Sequence, residues 1–472
     1  MILSRSQYFL KRASIVYLIA LVACCLFFFS HVMTWYWIVA GIVEVWLFYY
    51  LSVQWEIGWK RRSPVTIERN LFWATLITRL LWIFGYYLFT LSVWQTPWEQ
   101  PIGTSMDSVA YYEEAIWLID MIKEGDISPY LLYIRSRIDD AGYPVFVAIC
   151  NFISDNSIIF TRVPNAFFDA GTVVLTYRLA KRNFGESVGR LSAYFVILLP
   201  MIVFYSGTTM KESLMLVLSM WAVERGDFVI REKKYLTWHL ALFALPVLLL
   251  TFIRVALSWV IILAFLCAVV FSSERIINKS RRVLILFLVI FVGAAFFGGR
   301  IIEQGEDLVE QANSTGVNFE YRAQRQGGNA LVSRLNKMVL APLIFTLPFP
   351  TMVEIEGQYV QQLQNGGFFI KNILSFFCLF ALFSLLPKRR WKDNVMVIAF
   401  LLGYLMALGL SSFAQSGRFH HPALPMEMIF GAYGISLIKN LKQAKWFDYF
   451  LIVEFFIIVF WNWFKLRGRG AV

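Results

Sequence analysis

Apolar runs long enough to cross a bilayer recur along nearly the whole chain, separated by short polar breaks, and this pattern sets the fold class before anything else. The runs predict an all-α polytopic membrane protein with about 13 transmembrane helices. The spans are expected near residues 14–31, 35–53, 70–94, 158–180, 191–205 and 213–229. A hairpin of two spans with Arg254 at its tip follows, then spans near 283–297 and 369–386, two that flank 414–424, and one near 449–464.

Two long segments break the rhythm, 95–157 and 298–367. In the first, Val109, Tyr112, Ile116 and Ile119 recur at steps of three and four and the pattern stops at Gly125. That spacing predicts an amphipathic helix on the outer membrane surface, with Asp107 placed to cap its start. A second apolar piece around Tyr143-Pro-Val-Phe-Val-Ala148 is too short to span. In the second segment Pro342, Pro348 and Pro350 interrupt an apolar half. Proline removes a backbone donor and obstructs a helix, so a re-entrant or surface segment packed on the protein is expected there.

Composition strengthens this reading: 58% of residues are hydrophobic, 16% are charged and the mean hydropathy is +0.61. A soluble chain could not hide so much apolar surface. The net charge of +12 would suggest a nucleic-acid partner in a soluble domain, but here the Lys and Arg cluster between spans, as in Lys60-Arg61-Arg62 and Lys388-Arg389-Arg390. More than half of the 43 basic residues fall on one side, which the positive-inside rule makes cytoplasmic, with the N-terminus. Only the tail Lys465-Leu-Arg-Gly-Arg469 breaks the rule, and nothing at the N-terminus resembles a cleavable signal. The five cysteines form no Cys-x-x-Cys pair and read as small buried hydrophobes.

With that orientation the chemically capable residues gather on the outer face: Asp107, Tyr111, Glu113 and Glu114, then Lys211 and Glu212, then Arg254, then Arg418, His420 and His421. Asp107 suits a helix cap and equally a general base in a partly dry cleft. Glu113 and Glu114 sit two turns further on, where at least one should simply face water. Lys211-Glu212 is either a boundary ion pair or a contribution to the same cavity as Asp107. Arg254 and Arg418 are either headgroup anchors or a clamp for a phosphate or diphosphate. Adjacent histidines seldom ligate one ion together, so His420-His421 does not predict zinc. No motif demands a cofactor, and a divalent cation at the carboxylates stays open.

The order of these segments carries a family likeness. Asp107-Ser-Val-Ala-Tyr-Tyr-Glu-Glu-Ala115 is followed by Gly142-Tyr-Pro-Val-Phe, Arg162-Val-Pro-Asn-Ala-Phe-Phe-Asp-Ala-Gly, Tyr177-Arg-Leu-Ala-Lys-Arg-Asn-Phe-Gly185 and Leu199-Pro-Met-Ile-Val-Phe-Tyr-Ser-Gly-Thr-Thr-Met-Lys-Glu212. It resembles the polyprenyl-phosphate-dependent membrane glycosyltransferases of the GT-C superfamily, in particular the protein O-mannosyltransferase and aminoarabinose transferase branch. The likeness covers about 70–231 and implies a catalytic module at 70–235, preceded by two extra helices in 1–69 and followed by C-terminal helices in 236–472.

The resemblance implies a sugar donor on a polyprenyl phosphate, a lipid, glycan or protein acceptor, and a site on the outer face of a bacterial-type inner membrane. Asp107 would be the loop carboxylate that activates the acceptor, Glu212 the second acid and Arg418 a contact to the lipid phosphate. Tyr111, Glu113, Glu114, Lys211, Arg254 and His420 would line the substrate. One departure is Ser108, which stands where the mannosyltransferase branch usually has another acid. Two rivals remain. A polysaccharide polymerase or ligase for diphosphate-linked oligosaccharides would use Arg322, Arg325, Arg334 and Arg418 as its clamp. A transporter or flippase would show repeats and midplane charges, whereas only Glu44, Arg79 and Arg178 interrupt the spans.

Overall fold

The computed structural model describes residues 3–60, 62–100, 107–136, 140–232, 234, 237–273, 343–411, 414–438 and 441–468. The expected span near 283–297 and Arg322, Arg325 and Arg334 lie outside the described residues. Within them the fold is helical, with no strand. Helices α1 (Leu3–Phe27), α2 (Trp35–Gly58) and α3 (Pro64–Val93) come first. They are followed by α4 (Asp107–Glu124), α5 (Ser128–Ser136) and α6 (Gly142–Ser154) in the first long connection.

The next group is α7 (Ile158–Phe184), α8 (Glu186–Leu198), α9 (Pro200–Ser206) and α10 (Glu212–Arg231), then the hairpin α11 (Trp238–Thr251) and α12 (Val255–Phe271). The C-terminal part holds α13 (Tyr359–Leu363), α14 (Asn365–Leu385), α15 (Val395–Leu410), α16 (Gly417–His420), α17 (Leu424–Leu437) and α18 (Leu441–Arg467).

Six of these helices are long and apolar enough to cross a membrane, and the bent pair α8–α9 makes a seventh if it is one span. Their outward faces are apolar, as at Leu26, Trp35 and Leu81, each more than two-thirds exposed. Buried positions include Arg79, Asp169, Arg162 and Lys371. Apolar outside and satisfied charges inside is the arrangement of an integral membrane protein.

Several expectations shift. Helix α4 forms where the periodicity placed it, and Gly125 closes it at φ +79°, a conformation that favours glycine. Asp107 is the first helical residue rather than a cap. The buried stripe is Ser108, Tyr111, Ala115, Leu118 and Ile119, turned about one residue from the expected one. It packs on Tyr143, Val147 and Ala148 of α6, so the helix serves a protein contact there. The expected span near 191–205 is not straight. It bends by 53° between α8 and α9, because Pro200 supplies no N–H to continue the ladder. The freed carbonyls of Ile197 and Val196 accept from Arg79 at 2.8 and 3.3 Å. Arg79 also pairs with buried Asp169 at 2.8 Å.

The proline-rich part of the second long segment is irregular from 343 to 358 and mostly buried, as expected of a segment packed on the protein. Irregular backbone at that depth needs internal partners. Lys371 donates to Phe345 O at 2.7 Å and to Leu347 O. Asn462 donates to Pro350 O at 3.1 Å and accepts from Met352 N at 2.8 Å. Replacing Arg79 with Met is expected to cost about 3–5 kcal/mol, because Asp169 and two carbonyls are left buried without a partner. Unfolding of the detergent-solubilised variant should therefore shift far below wild type; coincident curves would remove Arg79 from this role.

Candidate active site

Three segments distant in sequence converge at one end of the bundle. Asp107 begins α4, Glu212 begins α10 and Arg418 lies in the short α16. A carboxylate at a helix start is favoured by the free N–H groups there. Arg418 joins the two: its Nη1 donates to Asp107 Oδ2 and its Nε to Glu212 Oε1. The Arg418 side chain is 17% exposed, Glu212 2% and Asp107 55%. Glu212 is therefore the enclosed member and Asp107 the accessible one. Burial works against the Arg418 charge, but Glu212, Tyr111 and Asp107 outweigh it and hold the guanidinium well above its ordinary pKa.

The approach of Arg418 depends on a small residue. A Cβ on Gly417 would come within 2.5 Å of the Phe368 ring at the start of α14, so only glycine allows α16 to sit so close. Beside this trio opens a cavity of about 190 Å³. Its walls include Glu99, Asp107, Ser108 and Arg418, together with Phe204, Tyr205, Met210, Gln361, Gln364 and Phe368.

Glu99 holds two of these walls together. It accepts from Ser108 Oγ at 2.5 Å and from Thr209 N at 2.8 Å, and lies 3.6 Å from Arg162. Arg162 in turn donates to Thr209 Oγ1 and Pro97 O, and Asn165 to Ser206 O and Thr208 O. The turn before Glu212 is thus pinned to α7, and α4 is pinned to that turn.

Not every expected residue reaches the cavity. Tyr111 is buried against Tyr143 and beneath Lys211, and burial raises its pKa. Lys211 pairs with Asp140 and donates to Ile253 O at 3.1 Å; burial lowers its pKa against the support of Asp140. Arg254 lies over the Phe419 ring at 4.8 Å, and among the described residues no carboxylate pairs with it. Glu113 is exposed, and Glu114 accepts from the Tyr133 hydroxyl at 3.3 Å. His420 is buried and its Nε2 meets Ala414 O at 2.8 Å. Glu99 and the two glutamines were missed, since Glu99 lies outside the quoted motifs and an amide leaves neither a periodic nor a charge signal; Ser108 was noted only as a departure.

Among the described residues no group of three or more His, Cys, Asp or Glu converges as a metal site. A divalent cation asks for several oxygen ligands. It does not fit the carboxylates as they stand, because the Arg418 guanidinium lies between them.

The Alg9-like mannosyltransferase family matches residues 128–303, a stretch that includes Arg162, Lys211, Glu212 and Arg254. No curated protein matches. Among solved structures the chain is similar to the oligosaccharyltransferase of Archaeoglobus fulgidus, in complex with zinc and sulfate. The identity is 14% and the TM-score 0.38, and the match covers 70% of this chain and 44% of that one.

One pH effect follows from His421, buried on the connection into α17 and edge-on to Tyr205 at 5.1 Å. Burial, then the charges of Arg79 and Arg418, push its pKa from 6.5 down to about 3. Between those values the unfolded chain binds the extra proton, so stability is full above 6.5 and falls as pH drops. At pH 5 the loss from this group is on the order of 2 kcal/mol. Thermal unfolding of His421→Phe should fall less than wild type between pH 7 and 5; parallel slopes would show that His421 is not held neutral.

Over residues 128–303 the chain is thus similar to the Alg9-like mannosyltransferases, a glycosyltransferase family of the GT-C superfamily.

Proposed function

We propose that the protein transfers a sugar from a polyprenyl-phosphate carrier to an acceptor at the membrane face that holds Asp107, the outer face by the distribution of basic residues. The observation that carries this reading is the Arg418 bridge between an accessible and an enclosed carboxylate at the mouth of a small cavity. In such a transfer the acceptor oxygen bonds to the anomeric carbon as the bond from that carbon to the carrier phosphate oxygen breaks. The acceptor proton goes to a base, and the phosphate leaves with the electron pair.

Asp107 suits the base, because more than half of its side chain is exposed and an acceptor hydroxyl has access to it. Arg418 suits the leaving phosphate, because a guanidinium presents two parallel donors to a phosphate. Glu212, enclosed and paired, holds Arg418 in place. Arg254, free of a carboxylate among the described residues, is a second cation near the same face through Phe419. In an inverting transfer the base and the leaving phosphate lie on opposite sides of the sugar, so donor binding has to part Asp107 from Arg418, which are in contact here. The protein then contributes mainly position and charge.

The polymerase or ligase reading needs room for an oligosaccharide. The cavity volume lies below the ~300–1,000 Å³ of sites for drug-sized ligands, which favours a single sugar. Membranes containing the protein should release polyprenyl phosphate from labelled polyprenyl-phosphate mannose, glucose or galactose. Asp107→Asn should lower that release by about 10²-fold or more while unfolding like wild type. Undiminished release would remove Asp107 from the chemistry, and use of diphosphate-linked repeat units alone would favour the polymerase or ligase.

A further inference from the structure

Gln364 links α13 to α14 and lines the same cavity as Asp107 and Arg418. Its backbone is fully committed: its N–H donates to Val360 O at 3.1 Å and its carbonyl accepts from Phe368 N at 3.0 Å. The side chain is the opposite case. Gln364 is 1% exposed, and both its Oε1 and its Nε2 are buried without a hydrogen-bond partner. The Tyr205 hydroxyl lies near enough to interact with the Gln364 side chain, but outside hydrogen-bond geometry, so it leaves the amide without a full partner.

A buried amide with neither end satisfied is unfavourable, and folded proteins rarely leave one so. The position is not loose. Asn365 next to it is held by Tyr17 Oη at 2.5 Å and Trp37 O at 3.3 Å. Two residues further, the Gly367 N–H donates to Glu44 at 3.0 Å. A Cβ on Gly366 would meet Gly41 O and Glu44 at 2.7 Å, so the start of α14 is pressed directly on α2. Gln364 therefore carries a donor and an acceptor without a hydrogen-bond partner on a rigid support, just beneath the surface of a cavity far larger than the ~10–15 Å³ one water needs.

The missing partner must both accept from the amide N–H and donate to its carbonyl. Carrier phosphate does not do both, because ionised phosphate only accepts. Two neighbouring hydroxyls of a sugar ring do. We infer that Gln364 is a sugar-binding residue, reading a pair of ring hydroxyls on the donor while Arg418 holds the phosphate. This rests on the proposed transfer from a polyprenyl-phosphate sugar and adds which part of the donor lies against α14. Gln361, half-buried on the same wall, is placed to extend the contact.

The test compares binding of polyprenyl phosphate with binding of polyprenyl-phosphate mannose, glucose and galactose to the full chain in detergent. Wild type should bind at least one sugar-bearing lipid about tenfold more tightly than the bare phosphate. Gln364→Met keeps volume and removes both hydrogen-bonding atoms. It should lose that preference while binding polyprenyl phosphate as before, and Gln364→Asn should recover part of it. Equal weakening toward both kinds of lipid, or an unchanged preference, would overturn the role of Gln364 and leave the proposed function standing. Wild type that binds none of these lipids would overturn the proposed function and this inference together.

Discussion

Arg418 offers one positive charge to two carboxylates that lie 311 and 206 residues away in the chain. A carboxylate as enclosed as Glu212 is costly to bury without a cation beside it, and Asp107 brought so near would otherwise repel it. The guanidinium solves both problems with two of its donors. It thereby ties α4, α10 and α16 to one point. The cavity exists because these three helix ends meet without closing on each other. What surrounds them keeps the meeting point fixed: Glu99 and Arg162 bind the turn before Glu212, and Gly417 allows α16 to lie against Phe368.

Charges inside the bundle follow the same economy. Of the three that interrupt the apolar runs, Arg79 ends the bent helix α8 by taking its free carbonyls, and Glu44 takes the N–H of Gly367. Arg178 pairs with Glu68 at 2.7 Å across α7 and α3. Lys371, buried in α14, serves the irregular stretch at 345–347. Lipid offers no water to such backbone groups, so side chains must reach them from within. Charges committed in this way hold broken backbone in place and are not free to line a path for a solute.

Much of this was legible in the sequence, and the limits have physical causes. Apolar length gave α2, α3, α7 and α14 to within several residues, because the bilayer demands that length whatever packs against the helix. Asp107, Glu212 and Arg418 stood out because charge is rare in this chain. The face of α4 did not, since its periodicity shows that one side is apolar but not whether lipid or α6 receives it. Pro200 was read into one span near 191–205, and Arg79, which takes the freed carbonyls, lies more than a hundred residues earlier where local pattern cannot link them. His420 looked accessible in a polar loop, but the loop folds inward and delivers the imidazole to Ala414 O.

Ser108 shows most clearly how sequence order and spatial order part company. In the mannosyltransferase branch an acid is expected there, and its absence weakened the resemblance. In the fold the Ser108 hydroxyl donates at 2.5 Å to Glu99, which reaches the same wall of the cavity from a loop before the helix. The negative charge is thus present beside Asp107, displaced by nine positions along the chain. The displacement changes its role. An acid at 108 would sit on the helix beside Asp107, whereas Glu99 is bound by Arg162 and by the Thr209 N–H and is spent on holding α4 to the turn that leads to Glu212. That leaves Asp107 as the exposed acid of the cavity, and it makes the register between α4 and α10 depend on a single buried carboxylate.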